Sequence, residues 1–107
     1  MPADVTVSSD EDGGHVRLHV GDLLIVRLPE NPTTGYRWQF TPPAQLAPEG
    51  DSFNPVAGGA VGAGGERLAR FRAATLGQGR LQASHKRPWD PPSAAIGAFA
   101  IDVMVDQ

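Results

Sequence analysis

Apolar residues recur at every second position along most of this chain, and no stretch of about ten residues carries the spacing of a helix face. Val16, Leu18 and Val20 alternate with Arg17 and His19, while Leu24, Val26 and Leu28 keep one parity and Tyr36, Trp38 and Phe40 the next. Further on, Ala69, Phe71 and Ala73 alternate with Leu68, Arg70 and Arg72, and Leu81 and Ala83 with Arg80, Gln82 and Ser84. Phe99, Ile101, Val103 and Val105 complete the pattern. Side chains on a strand point alternately to its two faces, so each run predicts a strand with one face inward. Val5 and Val7 predict an edge strand, and the residues around Phe53 a further short one.

Between these runs lie turn formers: "SSDEDGG" at 8–14, "PENPTTG" at 29–35, "TPP" at 41–43, "GQG" at 77–79 and "RPWDPPS" at 87–93. Short strands joined by Gly/Pro turns point to an all-β, immunoglobulin-like antiparallel β-sandwich of about seven or eight strands, with a barrel as the alternative. At 107 residues the chain has material for one core, so residues 1–107 are read as a single domain. With 40% hydrophobic and 20% charged residues it lies outside the composition range of disordered chains.

The same composition narrows the function. A net charge of -3 with scattered basic residues gives no phosphate-tracking surface, so no nucleic-acid partner is expected. The longest apolar or small run, Ala94 to Ile101, is far short of the roughly 20 residues of a membrane-spanning helix, and no membrane association is expected. Residues 1–20 carry no apolar signal-peptide core, which predicts a cytoplasmic protein unless a leader has been removed, and then a periplasmic or secreted one. Without cysteine there is neither a disulfide nor thiolate chemistry.

Catalytic and metal chemistry find little support. There is no G-x-S-x-G, and Ser84 and His85, adjacent on a predicted strand, point to opposite faces and make no nucleophile–base pair. His15 and His19 share a face but stand roughly 13 Å apart at about 3.3 Å per residue, too far to share one zinc. "DEDGG" at 10–14 opens like a calcium loop but lacks the later ligands, and "GAGGER" lacks the third glycine of a dinucleotide fingerprint. No enzymatic activity, cofactor or metal is therefore expected, and binding is left.

Three segments carry residues suited to binding. "NPTTGYRW" at 31–38 is a turn stiffened by Pro32 that shows hydroxyls at Thr33 and Thr34 and reverses at Gly35, although an ordinary hairpin connection also reads this way. "HKRPWDPP" at 85–92 sets Arg87 and Trp89 either side of Pro88, so that Trp89 is held outward on a segment with little freedom to lose; the alternative is that it folds back to cap the end of the sandwich. Between them in sequence, "VAGGAVGAGGER" at 56–67 is nearly bare of side chains. At Gly62, Gly64 and Gly65 the main chain can approach a narrow groove closely and offer its N–H and C=O groups there, with Thr33 and Trp89 on either side.

"NPTTGY", "VGAGGER" and "RPW", in this order and at these spacings, resemble the chagasin-type inhibitors of papain-like cysteine peptidases over nearly the whole chain. The resemblance implies a sandwich with three loops at one end, 31–36, 58–66 and 87–91, that occlude a peptidase active-site cleft. Its peptidase-binding residues would be Asn31, Pro32, Thr33, Thr34 and Gly35 of the first loop, with the threonines beside the catalytic centre. Val61, Gly62, Ala63, Gly64 and Gly65 would fill the cleft, and Arg87, Pro88 and Trp89 would dock on its far rim. It implies reversible, non-covalent inhibition by a protein that is a monomer when free. His85 and Asp90 depart from the family's usual larger aromatic and Glu. Two other readings compete: a carbohydrate- or surface-binding module using Trp38 and Trp89 as stacking platforms, and an assembly domain acting through exposed strand edges.

Overall fold

The computed structural model describes residues 2–31, 34–55 and 64–107. They form eight strands: β1 (Asp4–Ser8), β2 (His15–His19), β3 (Leu23–Glu30), β4 (Arg37–Thr41), β5 (Leu46–Pro55), β6 (Gly65–Ala73), β7 (Gly77–Lys86) and β8 (Gly97–Asp106). Two four-stranded sheets result, ordered β1-β3-β6-β5 and β2-β8-β7-β4. The expected all-β sandwich is thus present.

Its core is the inward parity of the runs read from the sequence. Leu24, Val26 and Leu28 of β3 and Ala69, Phe71 and Ala73 of β6 are buried in one sheet, opposite Leu81 and Ala83 of β7 and Phe99, Ile101, Val103 and Val105 of β8 in the other. Register keeps these faces together, pairing Leu24 with Phe71 and Val26 with Ala69, and Leu81 with Ile101 and Ala83 with Phe99. Phe40 of β4 meets Phe71 across the sandwich, ring centroids 5.7 Å apart. The Val, Leu, Ile and Phe side chains contribute roughly 1.5–3 kcal/mol each on burial, and no disulfide supplements them in this cysteine-free chain.

The edges differ from the antiparallel expectation. β1 pairs with β3, and β2 with β8, in parallel. The chain alternates sheets at its start, rising in β1, descending in β2 and rising again in β3, so the two rising strands meet side by side. Alternation within a strand says nothing about which neighbour it takes, and this pairing was not legible from the sequence. The buried Asp22 carboxylate fixes the arrangement by accepting the N–H groups of Ala3 and His19 at 2.9 and 2.8 Å, bonds that also hold its pKa below the usual carboxylate value. The strand expected around Phe53 is longer than predicted. Its pairing with β6 shifts register between Pro48 and Asp51, where the irregularity hides it from a period-two reading.

Candidate functional site

Strand direction decides where the loops go. β3, β5 and β7 run toward one end of the sandwich, and β4, β6 and β8 run away from it. The connections after Glu30, Pro55 and Lys86 therefore emerge at the same end, although they are far apart in the chain. Pro32, Thr33, Val61, Gly62 and Ala63 lie outside the described residues; the remaining predicted site residues can be placed.

In the first loop Thr34 is exposed, yet its hydroxyl is used within the turn: it donates to the Asn31 carbonyl at 2.8 Å and accepts the Tyr36 N–H at 3.3 Å. Gly35 follows with φ +81°, a region that glycine enters without steric cost. A Cβ there would stand 3.6 Å from Cη2 of Trp89, so the first and third loops touch.

The third loop is braced from inside. Arg87 Nε donates to the Asp90 carboxylate at 2.6 Å, the Asp90 N–H donates to the Arg87 carbonyl at 3.0 Å, and Lys86 Nζ donates to the Asp90 carbonyl at 2.9 Å. Asp90 also holds the Arg87 pKa above its ordinary value. The Arg87 guanidinium lies 5.3 Å from the Tyr36 ring and 5.7 Å from the Trp89 ring, bridging the two loops. Trp89 stands at the tip with 71% of its surface exposed, so it presents outward and does not fold back over the core. Trp38 is the opposite case: its indole N–H donates to the Pro29 carbonyl at 2.8 Å and its ring stacks on His85 at 4.7 Å, which removes it as a stacking platform.

The two placed glycines of the central segment differ in role. Gly64 has φ +85°, and a Cβ there would approach the Glu30 carbonyl oxygen at 3.2 Å and the Asn31 Cβ at 3.3 Å. Gly65 is already strand, paired with Pro55 on one side and Glu30 on the other. A Cβ on Gly65 would land on the Asn54 carbonyl and 2.8 Å from the Pro55 Cα, so this glycine serves close strand packing at the loop's exit.

Beneath the loops the inward stripes turn polar. Glu30 continues Leu24, Val26 and Leu28; Arg67 continues Ala69 and Phe71; His85 continues Leu81 and Ala83. A charge on an inward parity signals a buried partner, and this was legible in principle. Ile96 was also passed over, although it breaks the inward parity of β8; it is 60% exposed, its N–H held by the His85 carbonyl at 2.7 Å.

His85 is half-buried at this end. Its enclosed Nε2 has no hydrogen-bond partner among the described residues, and burial pushes its pKa down, against the opposing influences of Glu30 and a backbone bond with Tyr36. A histidine whose folded pKa is depressed binds fewer protons folded than unfolded, so its contribution is full above the unfolded value near 6.5 and declines as pH falls below it. Tm is expected to fall between about pH 7.5 and about pH 5, and His85→Phe to flatten that slope. An unchanged slope in the variant would assign the effect elsewhere.

Comparison with known proteins gives concordant findings. Residues 17–103 match the model of the family described as Chagasin family peptidase inhibitor I42. The chain is 29% identical to chagasin of Trypanosoma cruzi over 101 residues, covering 89% of this chain and 92% of chagasin. In fold it is similar to the crystal structure of the cysteine protease inhibitor EhICP2 of Entamoeba histolytica, with a TM-score of 0.83 at 19% identity over 96% of this chain and 95% of that one. It is also similar to PbICP-C in its complex with falcipain-2, with a TM-score of 0.64 at 17% identity over 96% and 89% of the two chains.

Proposed function

The chain belongs to the chagasin family of peptidase inhibitors and is an inhibitor of cysteine peptidases, not an enzyme, and from that premise we propose that it blocks the active-site cleft of a papain-like peptidase with the three loops at one end of its sandwich. The observation that carries this reading is the contact of the first and third loops through Gly35, Tyr36, Arg87 and Trp89, on the end where the glycine-rich connection also leaves and returns.

Each part has a physical role. The main chain of Val61, Gly62, Ala63 and Gly64 enters the cleft, where its glycines let N–H and C=O groups come close to the walls, while Gly65, paired in the sheet on both sides, anchors the loop's exit. Held on a path other than that of a substrate, the loop would bring no scissile carbonyl to the short distance at which a thiolate attacks, and the inhibitor would be bound without being cut. Asn31, Pro32, Thr33, Thr34 and Gly35 rest on one rim, and Arg87, Pro88 and Trp89 on the other. Trp89 is flanked by the charged Arg87 on a turn already closed by Asp90, so that the loop gives up little main-chain freedom on docking. A falcipain-2 complex of a protein with this fold supports a cysteine peptidase as the partner. Three loops on one sandwich end can supply the roughly 1,600 Å² typical of protease–inhibitor contacts.

The test is titration of active papain with the protein while following hydrolysis of a small substrate, with the protein itself checked for cleavage. Reversible loss of activity at submicromolar inhibitor, the chain remaining intact, is the expected result. Full papain activity at micromolar concentration, or cutting within the glycine loop, would refute the reading.

A further inference from the structure

We propose that the buried ion pair of Glu30 and Arg67 is the positioning device of the inhibitory end, holding the stems of the first and central loops in one fixed relation without touching the peptidase; this rests on the inhibitor reading above. The Glu30 side chain is 0% exposed and that of Arg67 14%. One oxygen of Glu30 accepts Arg67 Nη2 at 2.6 Å and Nε at 3.0 Å, and the other accepts the backbone N–H of Trp38 at 2.9 Å.

Each member spans a loop. Glu30 ends β3, Trp38 lies at the start of β4 in the other sheet, and the second bond between these stems runs from the Trp38 indole to the Pro29 carbonyl. The Glu30 carboxylate therefore closes the base of loop 31–36 across the sandwich. Arg67 lies on β6, which leaves the central loop, and its remaining nitrogen Nη1 reaches Asp51 on β5, which enters it, at 3.2 Å. Its guanidinium also stands 5.7 Å from the ring of Phe53, again on β5. The salt bridge joins the two closures, and Gly64 packs against the carbonyl of the same Glu30.

Stability alone is a poor account of such a pair. Burying two charges carries a desolvation penalty that their attraction offsets only with good geometry, and well-packed apolar residues of similar volume are often as stable or more so. What an apolar pair lacks is direction. Four charge-assisted bonds, three on the Glu30 carboxylate and one from Arg67 to Asp51, fix where both loop stems stand before a partner arrives, which lowers the ordering cost of association.

The experiment compares the wild type, Glu30→Leu and the double variant Glu30→Leu/Arg67→Met for Tm, for the inhibition constant on papain, and for amide exchange at residues 34–38 and 64–66. The double variant is expected to regain the Tm lost by Glu30→Leu, yet to inhibit about 10- to 100-fold more weakly than wild type and to exchange faster at both stems. If inhibition and exchange recover together with Tm, the pair is merely structural and the proposal fails. Should the leucine variants not fold, Arg67→Lys serves, since it keeps the charge and loses the fork; wild-type inhibition and exchange in that variant would equally overturn the proposal. If the wild type itself leaves papain active, the functional reading falls, while amide exchange still judges the pair.

Discussion

Trp89→Ala is expected to raise the inhibition constant on papain about 100-fold, equivalent to roughly 2.7 kcal/mol, while moving Tm by no more than about 2 °C. The separation follows from the position of the side chain. Trp89 is 71% exposed, so folding gains little from it. On a partner it offers a large ring at low entropic cost, because Asp90 has already closed the turn and Gly35 lies against its edge. The loss should appear in the off-rate, since removing an anchor shortens residence without changing how often the molecules meet. Surface plasmon resonance on inactivated papain measures this. A slower on-rate at unchanged off-rate would show that Trp89 guides encounter and does not anchor.

Gly64→Val is expected to weaken inhibition at least about 100-fold and, unlike the tryptophan variant, to lower Tm by roughly 5–15 °C. At φ +85° a β-branched residue is strained by about 1–2 kcal/mol. Its Cβ would also press on the Glu30 carbonyl and on Asn31. The chain can relieve this only by leaving its path at the exit of the central loop, which is the path that must fit a cleft. Measured well below Tm, where the variant is folded, undiminished inhibition would place that path outside the peptidase contact. Gly65→Ala, by contrast, should act on stability first, because its Cβ meets strand backbone at Asn54 and Pro55.

Much of this was legible residue by residue. The strands of the core, the turns between them and the segments "NPTTGY", "VGAGGER" and "RPW" follow from period-two alternation, glycine and proline chemistry, and motif order. The outward face of Trp89 was legible too, from the prolines around it, whereas the engaged hydroxyl of Thr34 was not, because it depends on what its neighbours in space leave open.

The amino-acid order determined which residues would face inward, since a strand's two faces alternate whatever it pairs with, and it determined where the main chain would be bare. Which strands became neighbours, and so the parallel edges, the emergence of three distant connections at one end and the joining of Glu30 to Arg67, was decided only by the packed sandwich. The reason is that pairing is a long-range choice. Two inward stripes carry no mark of their partners until a shared core and a common register bring residues 30, 38, 51 and 67 within bonding distance.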